Sequence, residues 1–254
     1  MAAWWATPDT LGLKYRQVEL TTADRVKLVA WLIEPSVKAP DQHTTVVVAG
    51  GDAYNMSSNI YTARALADAG YRSLLFDYRG FGHSQAVALD PQRLYYEEFV
   101  LDVRTALAEA RRWQRRDRVG ILGLSMGAIV GSEAAARTKT DFLLTEGYPG
   151  DLPGIVAYQK RAFNKTVTLP REAAAYPRMA ARITCPWLLI AGTQDQNTPL
   201  ADSAAVVQAA RRRQRRQLLT VDCGHLGAQE KLTETFFAEG YVRAIGRFLA
   251  GGKV

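Results

Sequence analysis

The stretch GILGLSMGAIVG, residues 120–131, places one serine between two glycines, Gly123-Leu124-Ser125-Met126-Gly127, behind a short apolar run. A buried strand that turns sharply into a helix presents such a serine on a strained elbow. The flanking glycines then leave room for the neighbouring strand and helix. Five residues of this kind also arise by chance at ordinary strand-to-helix corners, so the rest of the chain decides the reading.

Unbroken apolar runs recur at 45–49, 73–76, 119–122, 142–145, 187–191 and 218–221. Runs without alternation suit strands buried on both faces, as in a parallel sheet. Helical patterns occupy 57–69, 94–113, 126–137, 201–213 and 230–249. Two β-rich segments, 15–20 and 26–33, precede them around Thr21-Thr22-Ala23-Asp24-Arg25 and read as a hairpin, the only antiparallel element expected. The pattern predicts an α/β protein: a doubly wound, mostly parallel sheet opened by an antiparallel hairpin, forming a single domain over 1–254. In such sheets the reactive crevice forms at the carboxyl ends of the strands.

The residues after each apolar run therefore carry the functional reading. Gly51-Asp52-Ala53-Tyr54 follows the first, Asp77-Tyr78-Arg79-Gly80-Phe81-Gly82 the second, and the serine elbow the third. Glu146-Gly147-Tyr148 follows the fourth, Thr193-Gln194-Asp195 the fifth and Cys223-Gly224-His225 the sixth. A serine, an acid and a histidine thus stand at strand ends in that order. A serine hydroxyl is a poor nucleophile and needs a base to take its proton. Of the three histidines, His43 precedes the first parallel strand, His83 lies in the loop after the second, and His225 stands at a strand end. His225 is the expected general base. A carboxylate must hold it in one tautomer, and Asp195 is the expected acid, with Glu146 and Asp222 as rivals. The Met126 N–H, at the start of the helix, is one expected oxyanion donor, and Asp52 or Gly51 supplies the second.

The order Ser-Asp-His, the elbow GLSMG and the stretch LLFDYRGFGHS (74–84) resemble the α/β-hydrolase superfamily. More narrowly, TPDTLGLKYRQVELTTADRVKLVAWLIEP (7–35) is similar to the opening of small esterases related to protein depalmitoylases and serine aminopeptidase-like hydrolases. Those chains open with a hairpin containing an Asp-Gly turn and a Leu-x-x-Trp strand. Asp24 and Trp31 fit, and Arg25 replaces the glycine. At the oxyanion loop many relatives carry His-Gly, whereas GGDAYNMS (50–57) puts Gly50 at the histidine and Asp52 at the donor. A carboxylate there is unfavourable beside a developing oxyanion unless it points away or is neutralised. Arg79 is a candidate partner. Alternatively Gly51 is the donor and Asp52 recognises a cationic substrate group.

The resemblance implies a serine hydrolase that cleaves carboxylic esters or thioesters through an acyl-enzyme on Ser125, with no cofactor and no metal. An aminopeptidase or amidase of the same fold, and a non-catalytic hydrolase-fold binding protein, are the alternatives. Between the fourth and fifth parallel strands, residues 146–185 exceed a usual connection and are expected to form a crossover helix and a small cap. Within it Tyr148, Ile155, Tyr158, Phe163 and Tyr176 are candidates to line an acyl pocket. Tyr54, Tyr148 and Tyr158 are the expected substrate contacts. Lys160, Arg161 and Lys165 are candidates to meet a carboxylate or phosphate, or form a solvated face.

The net charge of +7 raises a nucleic-acid reading. The excess sits in two runs, RRWQRRDR (111–118) and RRRQRR (211–216), each closing a predicted helix, where cations favour the negative end of the dipole. No nucleic-acid-binding motif accompanies them, so no nucleic-acid partner is expected. Peripheral contact with an anionic membrane is the remaining use for them. No apolar run approaches the ~20 residues of a spanning helix. Two cysteines and no leader-like N-terminus favour a cytoplasmic protein acting on a small acyl substrate. The sequence leaves the oligomeric state open.

Overall fold

In the computed structural model, which describes residues 3–51 and 55–254, the apolar runs pair into one eight-stranded sheet. In chain order the strands are β1 (Tyr15–Thr21), β2 (Lys27–Ile33), β3 (Thr44–Ala49), β4 (Arg72–Phe76), β5 (Arg118–Leu124), β6 (Leu143–Glu146), β7 (Trp187–Gly192) and β8 (Arg216–Val221). Their spatial order is β1-β2-β4-β3-β5-β6-β7-β8. β1 and β2 form the predicted hairpin, and the ladders from β4 across to β8 are parallel. The hairpin joins the sheet through a second antiparallel pairing, β2 with β4, in the register Ala30 opposite Phe76.

β3 is TTVVVA, buried at every position. Successive side chains point to opposite faces: Val47 and Ala49 enter one core cluster, Val46 and Val48 the other. The first face is covered by α2 (Glu97–Trp113) and α3 (Met126–Arg137), with Val206 of α6 (Leu200–Gln208). The second is covered by α1 (Ile60–Asp68) and α8 (Glu239–Leu249). α8 buries Tyr241, Val242, Ile245, Phe248 and Leu249, the helical spacing of a core-facing stripe.

Several helix boundaries differ from the sequence-based expectation. The expected helix 230–249 is split into α7 (Ala228–Lys231) and α8, because Thr233 Oγ1 accepts the Ala238 N–H at 3.0 Å and competes with the helical ladder. Ala238 sits there at φ 58°. The expected helix 201–213 stops at Gln208. The arginines beyond it would repel one another on a helix surface, and the Arg211 N–H instead donates to Gln214 Oε1. Residues 146–185 contain α4 (Leu152–Phe163), a 3-10 segment (Arg171–Arg178) and α5 (Met179–Arg182). Thr168 of this stretch bridges Arg93, tying it to the loop between β4 and α2.

Arg25 occupies the turn of the hairpin at φ 65°, the left-handed conformation that a glycine adopts without strain. The arginine runs lie where β5 and β8 begin, the sheet edge opposite the elbow. Several of these side chains tie the structure together: Arg111 to Asp141 at 2.9 Å, Arg215 to the Phe248 carbonyl at 2.9 Å, Arg216 to the Val206 carbonyl at 2.8 Å. No helix among the described residues is long and apolar enough to cross a membrane.

Candidate active site

Ser125 separates β5 from α3 and stands at φ 52°, ψ −114°, a conformation L-residues avoid. The elbow is held from both sides. The Ser125 N–H donates to the Glu146 carbonyl of β6 at 3.0 Å. A Cβ at Gly127 would run into the Ala49 carbonyl at the end of β3. The close approach of α3 to β3 therefore requires glycine.

β6 lies between the elbow strand and β7, and two strand-end loops reach across it. His225 follows β8, and its Nε2 is 2.8 Å from Ser125 Oγ. Its Nδ1 is 2.8 Å from Asp195 Oδ2, in the loop after β7. The Asp195 side chain is 1% exposed and that of His225 27%. Asp195 Oδ1 accepts the backbone N–H groups of Asn197 and Thr198, each at 2.9 Å. Its Oδ2 also accepts the Thr198 hydroxyl at 2.6 Å. Burial works to raise the Asp195 pKa, but the bonds from His225 and Thr198 outweigh it and hold the carboxyl below its ordinary value.

The rival acids have other employment. Asp222 accepts the Thr193 hydroxyl and the Gln194 amide. Glu146 is buried under the loop that carries His225, and its Oε1 accepts the Ala228 N–H at 2.9 Å. Burial raises its pKa.

Around these three residues are neighbours that motif reading passes over. Gly147, at φ 66°, lies against the imidazole: a Cβ there would be 2.9 Å from His225 Cε1. Asn197 Nδ2 is 3.3 Å from His225 Nε2, and Asn197 Oδ1 accepts from Gln159 of α4 at 2.9 Å. The Gly147 signal was legible as a glycine after a strand. The Asn197 contact depends on a loop conformation that no short pattern encodes.

Met126 opens α3, so its N–H has no partner within the helix. Gly51 stands beside the elbow serine: its added Cβ would be 3.9 Å from Ser125 Cβ. Asp52 and Tyr54 lie outside the described residues. The Arg79 guanidinium, a candidate partner for Asp52, is committed to Asp24 at 2.6 Å and Asp102 at 2.7 Å. That pairing holds the Asp24 carboxyl down at about 2.

Tyr148 does not reach the site. It is 2% exposed and packs edge-on against Trp187 in the core. Tyr176 is buried near it with ring centroids 6.0 Å apart. Tyr158 packs on Phe163 and is on neither cavity wall beside Ser125. The serine opens instead between two cavities. One, of about 150 Å³, is walled by Met126, Ile129, Pro149 and Ile155, with Arg93 and Lys165 and no carboxylate among its described lining residues. The other, of about 480 Å³, includes Gly51, Tyr61, Leu226 and Phe237.

The chain is similar to known proteins over different extents. Residues 40–144 match the serine aminopeptidase family model. The uncharacterized protein YfhR of Escherichia coli is 36% identical over 69 residues, 27% of this chain and 24% of that protein's own length. Among solved structures, the Pyrococcus furiosus esterase Pf2001 superposes with a TM-score of 0.79 at 22% identity, covering 100% of this chain and 98% of that one. XC6422 of Xanthomonas campestris, an α/β serine hydrolase without a lid, gives 0.60 at 20% identity over 94% and 93%. The Pyrococcus horikoshii acylaminoacyl peptidase gives 0.67 at 17% identity over 94% of this chain and 41% of that one. By its sheet and these structural likenesses, the chain has the α/β-hydrolase fold.

Proposed function

We propose that this protein is a serine hydrolase that cleaves carboxylic esters or thioesters through an acyl-enzyme on Ser125. The observation that carries the reading is the unbroken chain Ser125 Oγ to His225 Nε2 to Asp195, each link 2.8 Å. In this reading Ser125 Oγ attacks the acyl carbonyl carbon while His225 Nε2 takes its proton. The imidazolium that forms donates through Nδ1 to Asp195, whose lowered pKa keeps it ionised to accept that bond. The oxyanion of the tetrahedral intermediate meets the Met126 N–H and a second amide from Gly51 or Asp52. Collapse breaks the bond to the leaving oxygen or sulfur, which receives the proton from His225. Water then repeats the sequence on the acyl-enzyme and returns Ser125.

The matching family model favours a second reading, an aminopeptidase. It requires an acid to hold the substrate's ammonium group. Among the described residues the smaller cavity carries two cations and no carboxylate, which disfavours an ammonium there, whereas the larger cavity carries Glu230. The apolar side chains on the walls of both cavities favour the ester reading. The test is treatment of the protein with a fluorophosphonate followed by intact mass. A single adduct that Ser125→Ala abolishes supports the reading, and no adduct on folded protein overturns it.

A further inference from the structure

The larger cavity beside Ser125 does not end at the site. Tyr61 and Phe237, two of its walls, also line a second cavity of about 610 Å³ that runs between α1 and α8, past Ala65, Val242 and Phe236. The Tyr61 and Phe237 rings meet at 5.9 Å, and Trp5 stacks on the far side of Tyr61 at 5.9 Å. These are surface side chains: Phe236 is 71% exposed, Trp5 59%, Tyr61 47% and Phe237 41%. Most of the large apolar side chains exposed on the described surface are gathered here. Contiguous apolar surface with a polar rim marks a binding site rather than a solvated face.

The backbone bears strain at the two places that aim these side chains. Leu226, next to His225 and on the near cavity wall, is held at φ 56°. Ala238, directly after Phe236-Phe237, is held at φ 58°. Neither is a glycine, and left-handed backbone costs an L-residue roughly 1–2 kcal/mol. Such strain clusters at functional sites.

We infer that this groove holds a long apolar arm of the substrate, an alkyl or aryl chain that runs from the ester at Ser125 past Leu226 and across the paired Tyr61 and Phe237 rings to Phe236. The inference rests on Ser125 being the nucleophile. Its occupant is the substrate because the groove adjoins the cavity into which Ser125 and His225 open and shares its Tyr61 and Phe237 walls.

The test uses two alkyl fluorophosphonates, ethyl and dodecyl, below the micelle concentration of the longer one. In each, the Ser125 oxygen bonds to phosphorus, the P–F bond breaks, fluoride leaves and His225 takes the serine proton. The readout is the ratio of long-chain to short-chain labelling rates, which cancels any general loss of active protein. A groove lined on one side gains about twofold per methylene, less than the roughly fourfold of full burial. The two probes differ by ten methylenes, about a thousandfold if the groove holds them all. Holding as few as four takes the ratio for the unaltered protein above about tenfold. Phe237→Ala, which removes a wall, and Ala65→Trp, which fills the distal cavity, should each lower it at least fivefold. Equal rates for the two probes, or a ratio that neither substitution changes, overturn the groove and leave the nucleophile standing. Labelling by neither probe overturns the nucleophile reading and the groove with it. A dimer that Phe236→Ser dissociates, with the ratio unchanged, gives the face to a second copy of the chain and overturns the inference.

Discussion

Asp195→Asn tests the proposed chemistry at one atom. Asp195 Oδ1 accepts two backbone N–H groups at 2.9 Å, and an asparagine carbonyl oxygen can keep both. Its amide nitrogen would then occupy the position of Oδ2, which now accepts from Thr198 Oγ1 at 2.6 Å and from His225 Nδ1 at 2.8 Å. The threonine hydroxyl can rotate to accept instead. The imidazole cannot: facing a donor, Nδ1 must become the acceptor, which moves the ring proton to Nε2. Nε2 then has no lone pair for the Ser125 hydroxyl 2.8 Å away. The wrong tautomer in the serine protease triad costs about 10⁴ in turnover, equivalent to about 5.5 kcal/mol of transition-state stabilisation. The second-order rate of fluorophosphonate labelling should fall by about that factor. The thermal midpoint should move by only a few degrees, because a single altered bond is worth about 1 kcal/mol. Labelling within tenfold of the unaltered protein would refute the assignment. It would do so decisively if Glu146→Gln abolished labelling at the same time.

Three further outcomes are expected. Gly147→Ala places a methyl 2.9 Å from His225 Cε1 at a backbone φ of 66°, so labelling should drop at least tenfold while far-UV circular dichroism stays unchanged. Arg25→Gly relieves a left-handed arginine at φ 65° and should raise the thermal midpoint by a degree or more, the strain relieved exceeding the roughly 0.5–1 kcal/mol of glycine chain entropy. Glu133, buried in α3, is raised to about 7, first by burial and then by the charge of Glu97. Its folded pKa lies above its unfolded value, so the stability this gives is fully present below about 4.5 and is lost as pH rises through about 7. Glu133→Gln removes that dependence, and melting curves from pH 5 to 8 should show the variant gaining on the unaltered protein as pH rises.

The sequence by itself determined the sheet and the residue types at its carboxyl edge. Strands buried on both faces must be apolar throughout, and β3 (TTVVVA) and β7 (WLLIAG) are legible for that reason. With strand ends located, Ser125, Asp195 and His225 could be named, since each sits a few residues beyond a run whose position is set by burial. The expected helices form but end at other residues, because a local side-chain bond such as that of Thr233 competes with the helix on nearly equal terms.

What only the tertiary structure decided is which strand ends meet. Strand order places β6 between β5 and β7, so Glu146 lies beneath the His225 loop while Asp195 comes round to Nδ1. Nothing local distinguishes these carboxylates. The aromatics of 146–185 illustrate the same limit. Tyr148 and Tyr176 entered the core, whereas Tyr61 and Phe237, on elements distant in sequence, came together beside the serine. Periodicity tells which side chains are apolar, but the packing of α1 against α8 determines which of them line a groove, because that contact forms only when the whole sheet has been assembled.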